Sequence, residues 1–181
     1  HRSITLKPEG TSPAVRAFIE SRDYAEMQPT KYYYNTPCFR YERPQAGRLR
    51  EFHQFGVESF GTPDMMADAE VIALASDFLT KVGIEDIELR INSVGCRECR
   101  PVYRKALQDY LQPYYGELSE TSKTRFESNP MRIIDSKDPH DQEIAQAAPD
   151  MLDYLCDDCR AAFKELKSNL DAMGIRYTID P

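Results

Sequence analysis

Residues 38–58 gather arginine, carboxylate, amide and aromatic side chains at a spacing that could bind a phosphorylated ligand. If residues 50–58 form a strand, alternation places one set of side chains on the same face: Arg50, Phe52, Gln54, Gly56 and Glu58. Arginine binds phosphate, an aromatic ring stacks on a flat base, and a carboxylate attracts an ammonium group. Glycine inside a strand is unfavourable unless a bulge or a close ligand requires it. This face therefore predicts a ligand with phosphates, a flat ring and an amine.

A β-hairpin is the element predicted to position these side chains. Residues 31–42 are rich in aromatic and β-favouring types, residues 44–47 supply loop chemistry, and residues 50–60 alternate again. In the first arm, Arg40 and Glu42 are expected to share a face.

The other face of the hairpin is predicted to pack on a core. In the first arm it carries Phe39 and Tyr41, and in the second it carries His53, Phe55 and Val57. Because alternation turns His53 toward this face, we expect a histidine that packs in the core or supports the site indirectly, and not a catalytic base.

Two polar residues, Glu9 and Thr11, lie between a predicted strand over residues 3–6 and a predicted helix. Pro13 suits a first helical position, with Ser12 as the cap. Strand-to-helix turns commonly present side chains and amides to ligands, although an ordinary turn carboxylate is an equally good interpretation of Glu9.

The rest of the chain divides into a second helix, a strand and a helical segment. Asp64 begins a helix whose apolar stripe we expect in the core, and Gly83 ends it. Residues 87–92 alternate as a strand, and residues 176–179 are predicted to return to the same sheet. Helices are predicted over residues 101–112, 117–127 and 157–173, with an irregular piece around residues 129–135.

The charge of the chain is uneven. The formal net charge of −7 argues against a binder of nucleic acid over its whole surface. Residues 135–159 hold eight acidic side chains against the single Lys137, whereas the hairpin gathers four arginines: Arg40, Arg43, Arg48 and Arg50. Positive potential thus lies where a phosphate would bind.

Two Cys-x-x-Cys pairs, Cys96/Cys99 and Cys156/Cys159, bracket the helical segment, and Cys38 is left over. Four thiolates could hold a structural zinc ion if the segment folds back on itself. Free thiols and a reversible disulfide are the alternatives, and the gap of 56 residues between the pairs weakens the zinc interpretation. A catalytic zinc is disfavoured because four thiolates leave no open position.

Several motifs resemble the histidyl-tRNA synthetase family of class II aminoacyl-tRNA synthetases. The sequence Leu6-Lys7-Pro8-Glu9-Gly10-Thr11 is similar to the family's Arg-Pro-Glu-Gly-Thr turn. Residues 39–58 resemble motif 2 of that family, and the resemblance continues through residues 92–95, 129–135 and 179–181. It covers essentially the whole chain.

The resemblance implies an ATP site of four side chains: Arg40, Glu42, Arg48 and Phe52. Arg40 would bind the α-phosphate and act as the catalytic residue, and Glu42 would bind the adenine amino group. Phe52 would stack on adenine, and Arg48 would reach the outer phosphates. The histidine site would consist of four further residues: Glu9, Thr11, Gln54 and Glu58.

The implied activity is that of a histidine–tRNA ligase, which forms histidyl-adenylate from histidine and ATP and then transfers histidine to tRNA-His. Implied cofactors are ATP and Mg²⁺, and implied partners are histidine, tRNA-His and a second copy in a homodimer, in the cytoplasm and without a membrane. Because motifs 1 and 3 are not found, we expect the 181 residues to be part of a longer protein. We also expect them to have little or no aminoacylation activity alone.

The implied fold is α+β: part of a mixed, mostly antiparallel class II synthetase sheet with flanking helices, plus a small, mainly helical insertion domain. The predicted parts are a partial catalytic core at residues 1–95, the insertion domain at 96–174 and a returning strand at 175–181. The insertion domain would contact tRNA through its basic side chains: Arg97, Arg100, Arg104, Lys105, Lys123, Arg125 and Arg132. Two rival functions stay open, a non-catalytic regulatory paralogue that serves ATP phosphoribosyltransferase and a zinc-bound interaction module.

Overall fold

The structure is a computed structural model that describes residues 4–43 and 45–180. The start of the predicted first strand at Ser3, the loop residue Pro44 and the outer limits of the predicted domains, residues 1 and 181, lie outside the described residues. Residues 4–6 form no strand.

The described residues form helices and strands in an α+β arrangement. The helices are α1 Thr11–Glu20, α2 Met65–Lys81, α3 Cys99–Leu111, α4 Glu120–Ser128, α5 Met131–Ile134, α6 Pro139–Ala145 and α7 Asp157–Ala172. The strands are β1 Thr30–Phe39, β2 Glu51–Phe60, β3 Arg90–Ile91 and β4 Thr178–Ile179. Short 3₁₀ turns cover Asp23–Ala25, Gln112–Tyr114 and Met151–Tyr154. The predicted α+β class is confirmed.

Strands β1 and β2 form the predicted hairpin. They pair antiparallel in an unbroken register from Thr30 opposite Phe60 to Phe39 opposite Glu51. A hydrogen bond from the Arg40 amide to the Arg50 carbonyl, 2.8 Å, extends the pairing by one residue. The first arm thus ends before Glu42, which lies in the connecting loop instead of the predicted strand.

The chain divides into two compact units, His1–Leu74 and Ala75–Pro181. In the first unit, α1 packs on the hairpin through Phe18, whose ring stacks on Phe60 at 4.3 Å between centroids and meets Tyr32 edge-on at 6.3 Å. Both partners lie on the even-numbered face, which is also the face of Phe52, Gln54 and Glu58. Aromatic stacking therefore draws α1 onto the face predicted to bind the ligand.

The opposite face is the more exposed one, so the predicted core contact of His53 is wrong. Its imidazole is exposed, with Nδ1 3.4 Å from Oδ1 of Asn35. Tyr33 is 80% exposed and Phe55 47% exposed on the same face. Alternation separates the two faces correctly, but the position of α1 decides which one is covered.

Helix α2 begins as predicted, since the Asp64 carboxylate accepts a hydrogen bond of 2.8 Å from the Met66 amide. Its apolar stripe is wrongly predicted to be core. Ala69 is fully buried, whereas Leu74 is 45% exposed and Val82 55% exposed.

The second unit has a helical core, and its most deeply buried large apolar side chains are Leu107, Leu111, Ile133 and Leu170. Strand β4 pairs with β3 in parallel, so the returning strand is observed beside the predicted strand of residues 87–92. Among the described residues, these two strands form a two-stranded sheet of their own and do not join the hairpin in the single mixed sheet that was predicted. The predicted irregular piece instead includes the short helix α5, and the sequence analysis missed α6. Asp138 caps α6 by accepting a hydrogen bond of 3.0 Å from the His140 amide.

None of the helices in the described ranges combines the length and apolar character of a membrane span.

Asp141 of α6 is a buried carboxylate that ties three segments of the second unit together. It accepts hydrogen bonds from the Ser119 amide at 2.9 Å and from the hydroxyls of Ser119, Ser122 and Ser136 at 2.7 Å each. Burial by itself raises the pKa of Asp141. The hydrogen bonds from these three serines outweigh burial and lower the pKa to about 2.

Asp141→Asn is expected to lower the free energy of unfolding at pH 7 by about 2 to 4 kcal/mol, because the serine donors lose their charged acceptor. A carboxyl whose pKa falls on folding stabilises the protein above its unfolded value of 3.8, and this contribution is lost as the pH falls through about 2. Denaturant titration of both proteins between pH 7 and pH 2 should therefore show the gap closing at the acid end.

Asp153→Asn is the matched control, since Asp153 is an exposed aspartate of the same unit. Its substitution should change stability by less than about 0.5 kcal/mol. A gap between wild type and Asp141→Asn that stays constant down to pH 2 would contradict the role given to this carboxylate.

Candidate functional site

Tyr34 lies at the centre of the candidate site, and the sequence analysis missed it. It stands directly opposite Gly56 in the hairpin register. A Cβ atom at Gly56 would lie 2.3 Å from Cζ of Tyr34, and one at Gly10 would lie 2.2 Å from its Cε2. The ring therefore occupies the space between the two glycines. Gly56 was predicted to mark a bulge or a close ligand, but it makes room for the Tyr34 side chain. The pairing register of the hairpin is the signal that could have identified Tyr34.

The Tyr34 hydroxyl connects two of the predicted histidine-binding residues. It donates a hydrogen bond of 3.1 Å to the Glu58 carboxylate, and it lies 3.4 Å from the Thr11 hydroxyl. The hydrogen bond with Thr11 lowers the pKa of Tyr34, but burial and the carboxylates of Glu58 and Glu9 raise it more, so the net shift is upward. Tyr34 thus stays a neutral hydrogen-bond donor at physiological pH.

A third predicted residue, Gln54, joins the hairpin to the turn before α1. Its side-chain oxygen accepts a hydrogen bond of 2.7 Å from the Gly10 amide, and the Cys38 sulfur lies 3.6 Å from the same oxygen. The structure therefore brings Thr11, Gln54 and Glu58 together around Tyr34.

Ser12 was predicted to cap helix α1, but it is the Glu9 carboxylate that accepts hydrogen bonds at the start of this helix. Helix α1 begins at Thr11, and its N-cap Gly10 has no side chain to accept a hydrogen bond. The Glu9 carboxylate accepts hydrogen bonds from the Ser12 amide, at 2.8 Å, and from the Ser12 hydroxyl. The hydroxyl and amide of Ser12 lower the pKa of Glu9, so its negative charge is held at the start of the helix.

All four predicted ATP-binding residues line one cavity of about 480 Å³, together with two loop residues. Its full lining is Arg40, Glu42, Gly47, Arg48, Leu49 and Phe52. This volume falls in the range of small-molecule and cofactor sites. Two guanidinium groups against one carboxylate give the cavity a positive balance.

Contacts in this cavity hold its arginines in place. The Arg40 guanidinium lies over the Phe52 ring at 4.9 Å from the centroid, and its Nε donates to the Pro8 carbonyl at 2.8 Å. Nη1 of Arg48 lies 3.7 Å from the Glu42 carboxylate. A positive, ring-bearing pocket next to the Tyr34 cluster can bind a phosphorylated aromatic ligand.

Four cysteines of the second unit also come together. The sulfur atoms of Cys96, Cys99, Cys156 and Cys159 all lie within 4.8 Å of one another, and each of these cysteines is free of a disulfide. Because the cluster joins both Cys-x-x-Cys pairs, it is compatible with a zinc site.

Several basic residues predicted to contact RNA are engaged locally. Nε of Arg100 donates to the Cys96 carbonyl at 3.3 Å, and Nη1 of Arg125 donates to the Arg132 carbonyl at 3.1 Å. Lys123 pairs with Glu120 at 2.9 Å. An RNA contact of these residues stays a prediction.

The family model, a sequence relative and a solved structure that match this chain are all described as histidyl-tRNA synthetase or histidine–tRNA ligase. The family described as histidyl-tRNA synthetase matches residues 1–109. A histidine–tRNA ligase of Clostridium perfringens is 57% identical over 181 residues, a match that covers 99% of this chain and 44% of the relative. The chain thus spans less than half the length of this relative.

Two solved structures resemble the fold. A crystal structure of apo S. aureus histidyl-tRNA synthetase is similar with a TM-score of 0.75 and 37% identity, covering 99% of this chain and 42% of the other. A Bacillus halodurans C structure, described as an ATP phosphoribosyltransferase regulatory subunit/histidyl-tRNA synthetase, has a TM-score of 0.57 and 21% identity. It covers 96% of this chain and 48% of the other, and shows a similarity of fold alone.

Gly56→Ala is expected to lower the free energy of unfolding by about 1 to 3 kcal/mol, because the added methyl group would overlap the Tyr34 ring. Since alanine is otherwise favoured over glycine in a strand, a loss of stability identifies the clash. Thermal and denaturant unfolding should give the size of the effect.

A double-mutant cycle with Tyr34→Ala separates the clash from other effects, since Gly56→Ala should cost little once the ring is gone. Gly116→Ala is the matched control, because apart from its chain neighbours no described residue has an atom within 4 Å of the added methyl group. An equal cost of Gly56→Ala with and without the Tyr34 ring would show that the two residues are not in close contact.

Proposed function

The chain belongs to the histidyl-tRNA synthetase family, and from this premise we propose that it carries the hairpin half of the active site of a histidine–tRNA ligase. The observation that supports this most strongly is the meeting of Arg40, Glu42, Arg48 and Phe52 in one cavity. Beside it lies the cluster of Thr11, Gln54 and Glu58 around Tyr34. The activity, substrates and partners of the whole protein are part of this proposal.

The cavity suits ATP. Phe52 offers a ring face for adenine, and the Glu42 carboxylate can accept hydrogen bonds from the adenine amino group. Arg40, fixed by the Pro8 carbonyl, would bind the α-phosphate, and Arg48 would bind the outer phosphates. Arg48 can exchange its 3.7 Å contact with Glu42 for a phosphate oxygen, since both are anionic acceptors.

The Tyr34 cluster suits the amino acid histidine. The carboxylates of Glu9 and Glu58 would attract its ammonium group, and Gln54 and Thr11 would orient it. Gln54 already accepts the Gly10 amide, so its side-chain NH₂ group stays the part that can donate to a ligand. Tyr34 is proposed to hold Glu58 in position.

The proposed reaction has two steps, and the residues act on it by position and charge. A carboxylate oxygen of histidine attacks the α-phosphorus of ATP, the bond to the bridging oxygen of the β-phosphate breaks, and pyrophosphate leaves. A ribose hydroxyl at the end of tRNA-His then attacks the carbonyl carbon of the adenylate and releases AMP. Arg40 would stabilise the charge that develops on the α-phosphate, and no covalent intermediate with the protein is needed.

Mg²⁺ belongs to the proposal as the ion that accompanies ATP and neutralises its phosphates. Among the residues that line the cavity, Glu42 supplies the only carboxylate, and it already lies near Arg48. We therefore assign no Mg²⁺ ligand within this lining. The cytoplasm, where tRNA is charged for protein synthesis, is the compartment that this activity implies.

Binding of tRNA-His by the helical segment remains part of the proposal. Of the eight acidic residues in 135–159, Asp141 is buried, whereas Asp138 and Asp150 cap helical turns and keep their charge at or near the surface. An RNA contact would therefore have to use the basic side chains on another face of the segment. A homodimer is proposed for the whole protein.

The two rival functions have less support. The chain shares only its fold, at 21% identity, with the structure described as a regulatory subunit/histidyl-tRNA synthetase. By contrast, it is 57% identical to a histidine–tRNA ligase. An interaction module would not require the ATP-cavity residues to meet beside the Tyr34 cluster.

Arg40→Ala in the full-length protein is expected to lower the rate of histidine-dependent exchange between ATP and pyrophosphate by about 100- to 1000-fold, because a preorganised donor to the developing charge is lost. The exchange assay isolates the first reaction step.

Arg16→Ala provides the control, since Arg16 is an exposed arginine of α1 paired with Glu20. It should leave the exchange rate within about twofold of wild type, consistent with the small contribution of surface ion pairs. Exchange that survives Arg40→Ala unchanged would refute the role of the cavity in adenylation.

A further inference from the structure

We propose that the four cysteines of the second unit bind one structural Zn²⁺ ion in tetrahedral geometry. In a zinc–tetrathiolate site the metal–sulfur distance is about 2.3 Å, which places the sulfur atoms about 3.8 Å apart. The sulfur atom of Cys96 lies 3.5 Å from that of Cys99 and 3.9 Å from that of Cys156. The whole group spans no more than 4.8 Å.

These distances argue against the two alternatives. A disulfide requires about 2.0 Å between its sulfur atoms, and two separate disulfides would not draw all four sulfur atoms into one group. Free thiols would place no geometric constraint on two pairs separated by 56 residues in the sequence, whereas a shared ion requires all four sulfur atoms to meet.

Both pairs lie at the start of a long helix and share one backbone hydrogen bond, although their positions relative to the first helical residue differ. Cys99 is the first residue of α3, with Cys96 in the turn before it, and Cys156 is the N-cap of α7, with Cys159 in its first turn. In each pair the amide four residues on bonds back to the first cysteine: Arg100 to the Cys96 carbonyl at 3.2 Å and Arg160 to the Cys156 carbonyl at 2.9 Å. One turn of helix thus brings each pair of sulfur atoms to the same side.

Two backbone amides donate to the sulfur atoms. The Glu98 amide lies 3.3 Å from the Cys96 sulfur, and the Cys156 amide lies 3.1 Å from the Cys99 sulfur. The second of these bonds crosses from one pair to the other. Amide donors of this kind stabilise the thiolate form that a metal requires. Here they are supplied without the glycine-rich knuckle that often surrounds such sites.

The chain is also shaped to approach the cluster closely. Gly95 precedes the first cysteine and has φ +60°, in the region that favours glycine. A Cβ atom there would lie 2.6 Å from Cβ of Cys99 and 2.5 Å from Cε of Met151. This glycine lets the chain that leaves β3 pass directly against the cysteines.

The charges around the cluster are mixed. A Zn²⁺ ion with four thiolates carries a net charge of −2, which the N-termini of α3 and α7 favour. Arg100 and Arg160 bring guanidinium groups to carbonyls beside the cluster. Glu98, Asp157 and Asp158 are acidic neighbours in sequence and oppose this effect.

The proposed ion would fix the two ends of the helical segment to each other. It closes a loop from Cys99 to Cys156, and closing a long loop removes much of the freedom of the unfolded chain. Metal binding of this kind contributes directly to folding. The role is structural, since the four thiolates leave no position open for a substrate.

The test uses the 181-residue chain, purified under reducing conditions without chelator, with metal content measured by mass spectrometry. We expect one zinc ion per chain. Replacement by Co²⁺ should give the strong visible absorption of a tetrahedral tetrathiolate, which reports the number of sulfur ligands without any variant. Removal of the metal by a chelator should lower the midpoint of thermal unfolding.

Cys99→Ser and Cys159→Ser should each lose stoichiometric binding, whereas Cys38→Ser should keep it, because Cys38 lies in β1 and outside the cluster. Failure of the wild-type chain to bind Zn²⁺ or Co²⁺ would overturn the proposal. So would iron in place of zinc, a cobalt spectrum with fewer than four thiolates, or full zinc content in Cys159→Ser. None of these readouts uses aminoacylation, so their outcome tests the zinc site independently of the proposed function.

Discussion

The ring of Tyr34 fits between Gly10 and Gly56, where a Cβ atom on either glycine would come within 2.3 Å of it. This close packing joins the turn before α1 to the middle of the hairpin. Gln54 adds a hydrogen bond between the same two segments, and Glu58 binds the Tyr34 hydroxyl. The positions of the candidate histidine-binding residues therefore depend on one ring and the absence of two side chains.

Much of the candidate site could be predicted from residue order. Alternation in a strand places Phe52, Gln54 and Glu58 on one face, and the hairpin then brings Arg40 to the same side. A predicted register would have placed Tyr34 opposite Gly56, but the approach of Gly10 in the turn before α1 could not be predicted, because it depends on tertiary packing. The exposure of His53 was also missed, since local pattern does not show which face a later contact will cover.

The second unit shows the same limit for the helices. The starts and ends of α3 and α7 follow closely from their apolar stripes, whereas the short helix α6 depends on its Asp138 cap and on Pro139. In the sequence, nothing distinguishes the buried Asp141 from the other acidic residues around it, because only folding brings its three serine partners together. Such buried networks specify a structure but leave no periodic pattern.

In the proposed function, the hairpin anchored by Tyr34 places ATP and histidine next to each other for adenylate formation. The most direct measurement is a crystal structure of the full-length protein with a non-hydrolysable histidyl-adenylate analogue. We expect adenine against Phe52, the phosphate-equivalent group at Arg40 and the amino group of histidine near Glu58. An analogue bound with its adenine away from Phe52, or with its amino group remote from the Tyr34 cluster, would contradict it.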